Sequence, residues 1–80
     1  MPDLLYVECY AGYKADERPL RFRFRHNGSP HFEVVEVLDR WYGVGYLCFK
    51  VLADDGNTYI LRHNEKADEW VLDSFRRTGL

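Results

Sequence analysis

The stretch RFRFRHNGSPHFEV, residues 21–34, decides how this chain folds. Arginine and phenylalanine alternate from Arg21 to Arg25, a polar turn follows, and a second apolar run begins. Successive side chains of a strand point to opposite faces, so Leu20, Phe22 and Phe24 fall on one face and Arg21, Arg23 and Arg25 on the other. That is a strand with one wet face. Asn27-Gly28 and Pro30 supply the turn chemistry. A two-residue turn centred on Asn27-Gly28 would set Phe24 against His31 and Phe22 against Glu33, putting charge on the apolar face. Moving the register by one residue sets Phe24 opposite Phe32, Phe22 opposite Val34 and Arg23 opposite Glu33. A one-residue slip inverts every side chain, so the apolar pattern selects this second register, with a loop of three or five residues.

Outward from this hairpin, HFEVVEVLDRWY (31–42) alternates imperfectly. Phe32 and Val34 share one face, whereas Val35, Val37 and Trp41 share the other. A bulge or bend near Val34-Val35 reconciles the two halves. A helix would fit the spacing of EVVEVLDRW, but β-branched residues and turn signals at both ends favour a strand. Gly43 and Gly45 break the run, and YLCFKVLA (46–53) leads into Asp54-Asp55-Gly56-Asn57. Ala53 to Gly56 fits a type I turn closed by a left-handed glycine. Phe49 then meets Leu61, Val51 meets Tyr59 and Lys50 meets Ile60. LLYVECY (4–10) is a further strand, AGYKADER (11–18) a loop closed by Pro19, NEKAD (64–68) a turn, and EWVLDSF (69–75) a last strand or irregular tail. The expectation is all-β: five or six antiparallel strands in a meander, curled into a small barrel of SH3-like or OB-like proportions.

Eighty residues make one domain, spanning 1–80, which buries only about 60–65% of its unfolded surface. Its 16% aromatic content compensates, because each large ring removes roughly 150–250 Å² from water. The net charge of −2 argues against strong attraction to nucleic acid, whose binding starts from phosphate neutralisation. No apolar run is long enough to span a membrane, and MPDLLYVEC lacks the regions of a secretion signal. Cys9 and Cys48 are then expected to be reduced and buried, in a cytoplasmic protein.

The segments GYKADERP, VVEVLDRWYG and FKVLADDGNTYIL, with DEWVL after them, resemble a group of small bacterial proteins or domains of unknown function. The shared motifs correspond to Phe22–Gly28, Val34–Trp41, Phe49–Gly56 and Trp70–Leu72, and the likeness covers most of residues 20–72. Phe24 stands where the group usually has Trp, and Gly28 is displaced. The resemblance implies a shared β-rich fold and a bacterial origin. It brings no established activity, so no site is carried over from it.

Functional chemistry is sparse. His26, His31, His63, Cys9 and Cys48 never reach metal-ligand spacing, and no cofactor is expected. Gly43-Val44-Gly45 follows no βα unit and is no nucleotide fingerprint. Tyr10, Tyr13, Lys14, Asp16, Glu17 and Arg18 crowd one loop, which reads as a salt-bridged surface rather than a catalytic set. A core this small leaves little room for a cleft of about 300 Å³ or more, so no enzyme is expected. What remains is a non-catalytic protein-interaction module. Trp41, Tyr42 and Tyr46 place large rings around a glycine turn, where exposed rings anchor protein partners. Tyr13, Asp16 and Arg18 would form the other wall of a groove. At least one of Trp41 and Trp70 should belong to the core. The alternative is a single-stranded nucleic-acid-binding barrel using Arg21, Arg23 and Arg25. Strict alternation turns Phe22 and Phe24 away from those cations and weighs against it.

Overall fold

A computed structural model describes residues 3–10 and 18–76. It contains six strands: β1 (Asp3–Tyr10), β2 (Arg18–Phe24), β3 (Phe32–Gly43), β4 (Tyr46–Ala53), β5 (Thr58–Asn64) and β6 (Glu69–Arg76). Each strand pairs antiparallel with the next, and β1 pairs with β6 to close a barrel. The all-β barrel expected from the sequence is what forms, and EWVLDSF is a full strand. Closure matters because it pairs the first and last strands, which an open meander would leave as exposed edges.

The interior holds Leu5, Phe22, Phe49, Val51, Ala53, Tyr59, Leu61 and Trp70, with Phe24, Phe32, Val34, Val37 and Leu47 packed against them. Phe22 lies at the centre of an aromatic group. Its ring stacks on Phe32 at 5.1 Å and meets the edge of Tyr59 at 5.0 Å. Fully burying a side chain of this size contributes about 1.5–3 kcal/mol. Trp70 is core and stacks between Phe49 at 5.8 Å and His63 at 4.5 Å.

The β2–β3 register differs from the expected one by two residues. Phe22 pairs with Phe32, and Arg21, not Arg23, faces Glu33. The parity was right, so the rings still share one face, but the connection over residues 25–31 is longer than expected. Ser29 is the cause: its hydroxyl accepts the Phe24 backbone N–H at 3.0 Å, so the chain turns back later than the glycine suggests. At the start of β2, Pro19 pairs with Cys9 while Arg21 pairs with Glu8. Leu20 is therefore the extra residue of a bulge. Pro19 takes the inward position, and Leu20, expected inside, is 37% exposed.

β3 contains two irregularities, at Val35 and at Leu38, where its pairing with β4 skips a residue. The first is where the clash of faces in the sequence required it. It also puts Val37 on the core side opposite Val51, while Val35 and Leu38 are 63% and 44% exposed. The β4–β5 hairpin has the expected pairs Phe49–Leu61, Lys50–Ile60 and Val51–Tyr59. Gly56 has φ 85°, and its N–H donates to Ala53 O at 3.0 Å. A side chain there would be strained, which is why the turn takes glycine.

That turn sets a pH dependence. Tyr59 donates its hydroxyl to Asp55 Oδ2 at 2.5 Å. Burial first, and then this bond and the carboxylate charge, push the Tyr59 phenol well above its ordinary 10. Burial alone would raise Asp55, but hydrogen bonds from Tyr59 and Asn57 together outweigh it and hold the carboxyl below its ordinary 3.8. The phenol's contribution is complete below pH about 10 and falls away above it, where the unfolded chain loses the proton first. The carboxyl's contribution is complete above pH about 4 and falls away below it, where the unfolded chain gains the proton first. Urea midpoints measured against pH should therefore fall on both sides of a plateau. Tyr59→Phe should flatten the alkaline limb and Asp55→Asn the acid limb. Unchanged limbs in both variants would contradict this reading of the turn.

Candidate interaction site at the β2–β3 seam

Barrel closure is uneven. β2 and β3 share only the pairs Arg21–Glu33 and Phe22–Phe32, after which the strands part. From Val34 to Gly43, β3 is paired with β4 on one side and with no strand on the other, among the described residues. The physical reason lies in the bulges. Leu20 on β2 and Val35 and Leu38 on β3 each interrupt regular pairing and bend their strands, so the two ladders cannot stay in step. A surface groove of about 370 Å³ opens there, lined by Arg18, Pro19, Leu20, Val34, Val35, Glu36 and Val37. A second depression of about 360 Å³ lies over β1 and β2. Both exceed the space expected of so small a protein. The expectation considered the core, which is filled, whereas these hollows lie where strands diverge or side chains stand apart on the surface.

The exposed large apolar side chains are Tyr6, Leu20, Val35, Leu38, Tyr42 and Val44. All but Tyr6 lie along the parted strands or at the β3–β4 tip that continues them. Tyr42 is 68% exposed, and Trp41 and Tyr46 are half-buried. Trp41 pairs with Cys48, which pairs with Arg62, which pairs with Val71, forming a row across four strands. Tyr46 lies over Gly43, where an added Cβ would come within 2.0 Å of its ring. On its other flank the Arg62 guanidinium approaches the Tyr46 ring at 5.6 Å. Gly43→Val should therefore expel this ring and cost about 1–3 kcal/mol in a urea titration. A variant as stable as the parent would show the ring is not seated there.

Arg18 is exposed and lines the seam groove, which none of Trp41, Tyr42 and Tyr46 lines, while Tyr13 and Asp16 lie outside the described residues. The chemistry elsewhere is quiet. Cys48 is buried and Cys9 half-buried rather than buried, and neither forms a disulfide. Burial, then the Asp73 charge, pushes the Cys48 thiol up, which keeps it protonated and unreactive. No group of His, Cys, Asp and Glu suited to a metal occurs among the described residues. Among the described residues no helix is long and apolar enough to cross a membrane.

The arginine strip is divided. Phe22 and Phe24 face inward as alternation requires, and Arg21 is held by Glu8 and Glu33. Arg23 and Arg25 instead pack against the exposed ring of Tyr6 at 4.4 and 4.8 Å. Sequence reasoning missed this ring because it belongs to the neighbouring strand. The pattern LLYVECY did hold the signal, since it puts Tyr6 on the face opposite Leu5 and Val7.

No protein-family model, curated protein or solved structure matches this chain.

Proposed function

We propose that this domain is a non-catalytic protein-interaction module that accepts an extended segment of a partner protein along the open edge of β3. One observation supports the reading: an edge that no strand among the described residues pairs with carries the exposed apolar side chains Val35, Leu38 and Tyr42. Free backbone N–H and C=O groups in a row are complemented by another peptide backbone, and pockets beside them select alternate side chains. Val35 and Leu38 would meet the partner's side chains, and Tyr42 would anchor the far end. Trp41 and Tyr46 act mainly by holding the tip in shape. Glu36, Asp39 and Arg40, with the two bulges, guard the edge against indiscriminate pairing.

Selection of phage-displayed random peptides on the folded protein tests this. The selected peptides should bind with at least tenfold lower affinity to the Val35→Lys/Leu38→Lys variant. Both positions are exposed, so stability should change by no more than about 0.5 kcal/mol each. Peptides that bind parent and variant equally, or a library that yields no common sequence, would overturn the proposal.

A further inference from the structure

We propose that Arg23 and Arg25, mounted on Tyr6, form a phosphate clip that binds single-stranded nucleic acid, independently of the β3 edge. Tyr6 is 49% exposed and is the direct cross-strand partner of Arg23. The ladder continues through Arg25 N–H to Leu4 O at 3.1 Å, which brings the second guanidinium to the same ring. Each guanidinium gives little to the protein. Arg23 donates one N–H to Phe24 O at 3.4 Å, and Arg25 donates Nε–H to Leu5 O at 3.3 Å. Neither has a carboxylate within ion-pair distance among the described residues, in contrast to Arg21. A guanidinium carries five N–H donors in a rigid fork. The clip therefore leaves most donors of the exposed Arg25 and the half-buried Arg23 unused by the protein.

The arrangement is pre-organised. Stacking on a ring fixes a guanidinium without using its donors, which lowers the entropy lost when an anion arrives. Two like charges held near one ring repel each other, and a bound anion relieves that repulsion. The hollow alongside is open and lined by Tyr6, Val7, Glu8, Arg21, Phe22, Arg23 and His31, with the Glu8 carboxylate engaged by Arg21. An open surface suits a chain lying across it better than a mononucleotide, which needs enclosure. A duplex would need a broader positive field than a chain of net charge −2 supplies.

The test is fluorescence anisotropy of a labelled short oligothymidylate over a series of salt concentrations. Two phosphate contacts predict a slope of log affinity against log salt of about −1.4. Arg23→Gln/Arg25→Gln, which keeps the stems on Tyr6, should lower affinity at least tenfold, while the remote Lys66→Ala should leave it unchanged. Circular dichroism checks that both variants fold, and tyrosine ring signals in NMR should report Tyr6 directly in the parent. No binding at the lowest salt, equal affinity in the double glutamine variant, or equal affinity for a duplex would overturn the proposal. So would a phosphotyrosine peptide that binds the clip when the oligonucleotide does not. None of these results bears on the β3 edge, which the lysine pair tests separately.

Discussion

Phe22→Ala is expected to cost about 3–5 kcal/mol in equilibrium urea unfolding. The reasons are local. The ring is 1% exposed, contacts Phe32 and Tyr59, and sits where β2 and β3 make one of their two pairs. Its removal leaves a cavity that a small barrel cannot collapse around, because the lining side chains come from strands fixed by their own ladders. A domain of this length has a total stability of roughly 4–12 kcal/mol, so the variant should lose from about a quarter to all of it. Arg23→Ala, one residue along and on the outer face, should change stability by no more than about 1 kcal/mol, since it removes a surface cation–π contact and one long hydrogen bond to Phe24 O. Equal costs at the two positions would mean that alternation does not divide the strand into an inner and an outer face.

Leu5→Ala is the second large effect, expected at about 2–5 kcal/mol. Leu5 is 1% exposed and pairs with Phe24 on β2 and with Trp70 on β6. It therefore joins the two ends of the meander. In an open sheet β1 would be an edge and this residue would touch one neighbour only, so truncation would cost much less. A loss under about 1 kcal/mol would indicate that β1 and β6 do not close the barrel in solution.

Much of this architecture was legible from short patterns. Phe22 and Phe24 against Arg21 and Arg23 gave the faces of β2, and Ala53 to Gly56 gave the β4–β5 register to the residue, because a tight turn with a left-handed glycine leaves one solution. The β2–β3 register was missed by two residues because Ser29, which has no fixed rule in a loop of this length, ties the chain back. Leu20 was placed inside because a bulge cannot be seen from one strand alone. It depends on what the partner strand does, and here Pro19 takes the inward place. The open edge was invisible for the same reason. The aromatic tip was found as Trp41, Tyr42 and Tyr46, yet only Tyr42 is mainly exposed, because Gly43 lets the Tyr46 ring fold back over it. Tyr6 is not legible from the arginine pattern, because it stands on the neighbouring strand and meets Arg23 only through the β1–β2 pairing.

Amide hydrogen exchange along β3, measured by NMR with and without a selected peptide, tests the central claim most directly. In the free protein, alternate amides between Val34 and Gly43 should exchange quickly while those of β4, flanked by strands on both sides, stay protected. Added peptide should slow that fast set and leave the rest unchanged. Uniform protection of β3 in the free protein, or slowing confined to another strand, would contradict a partner-accepting edge.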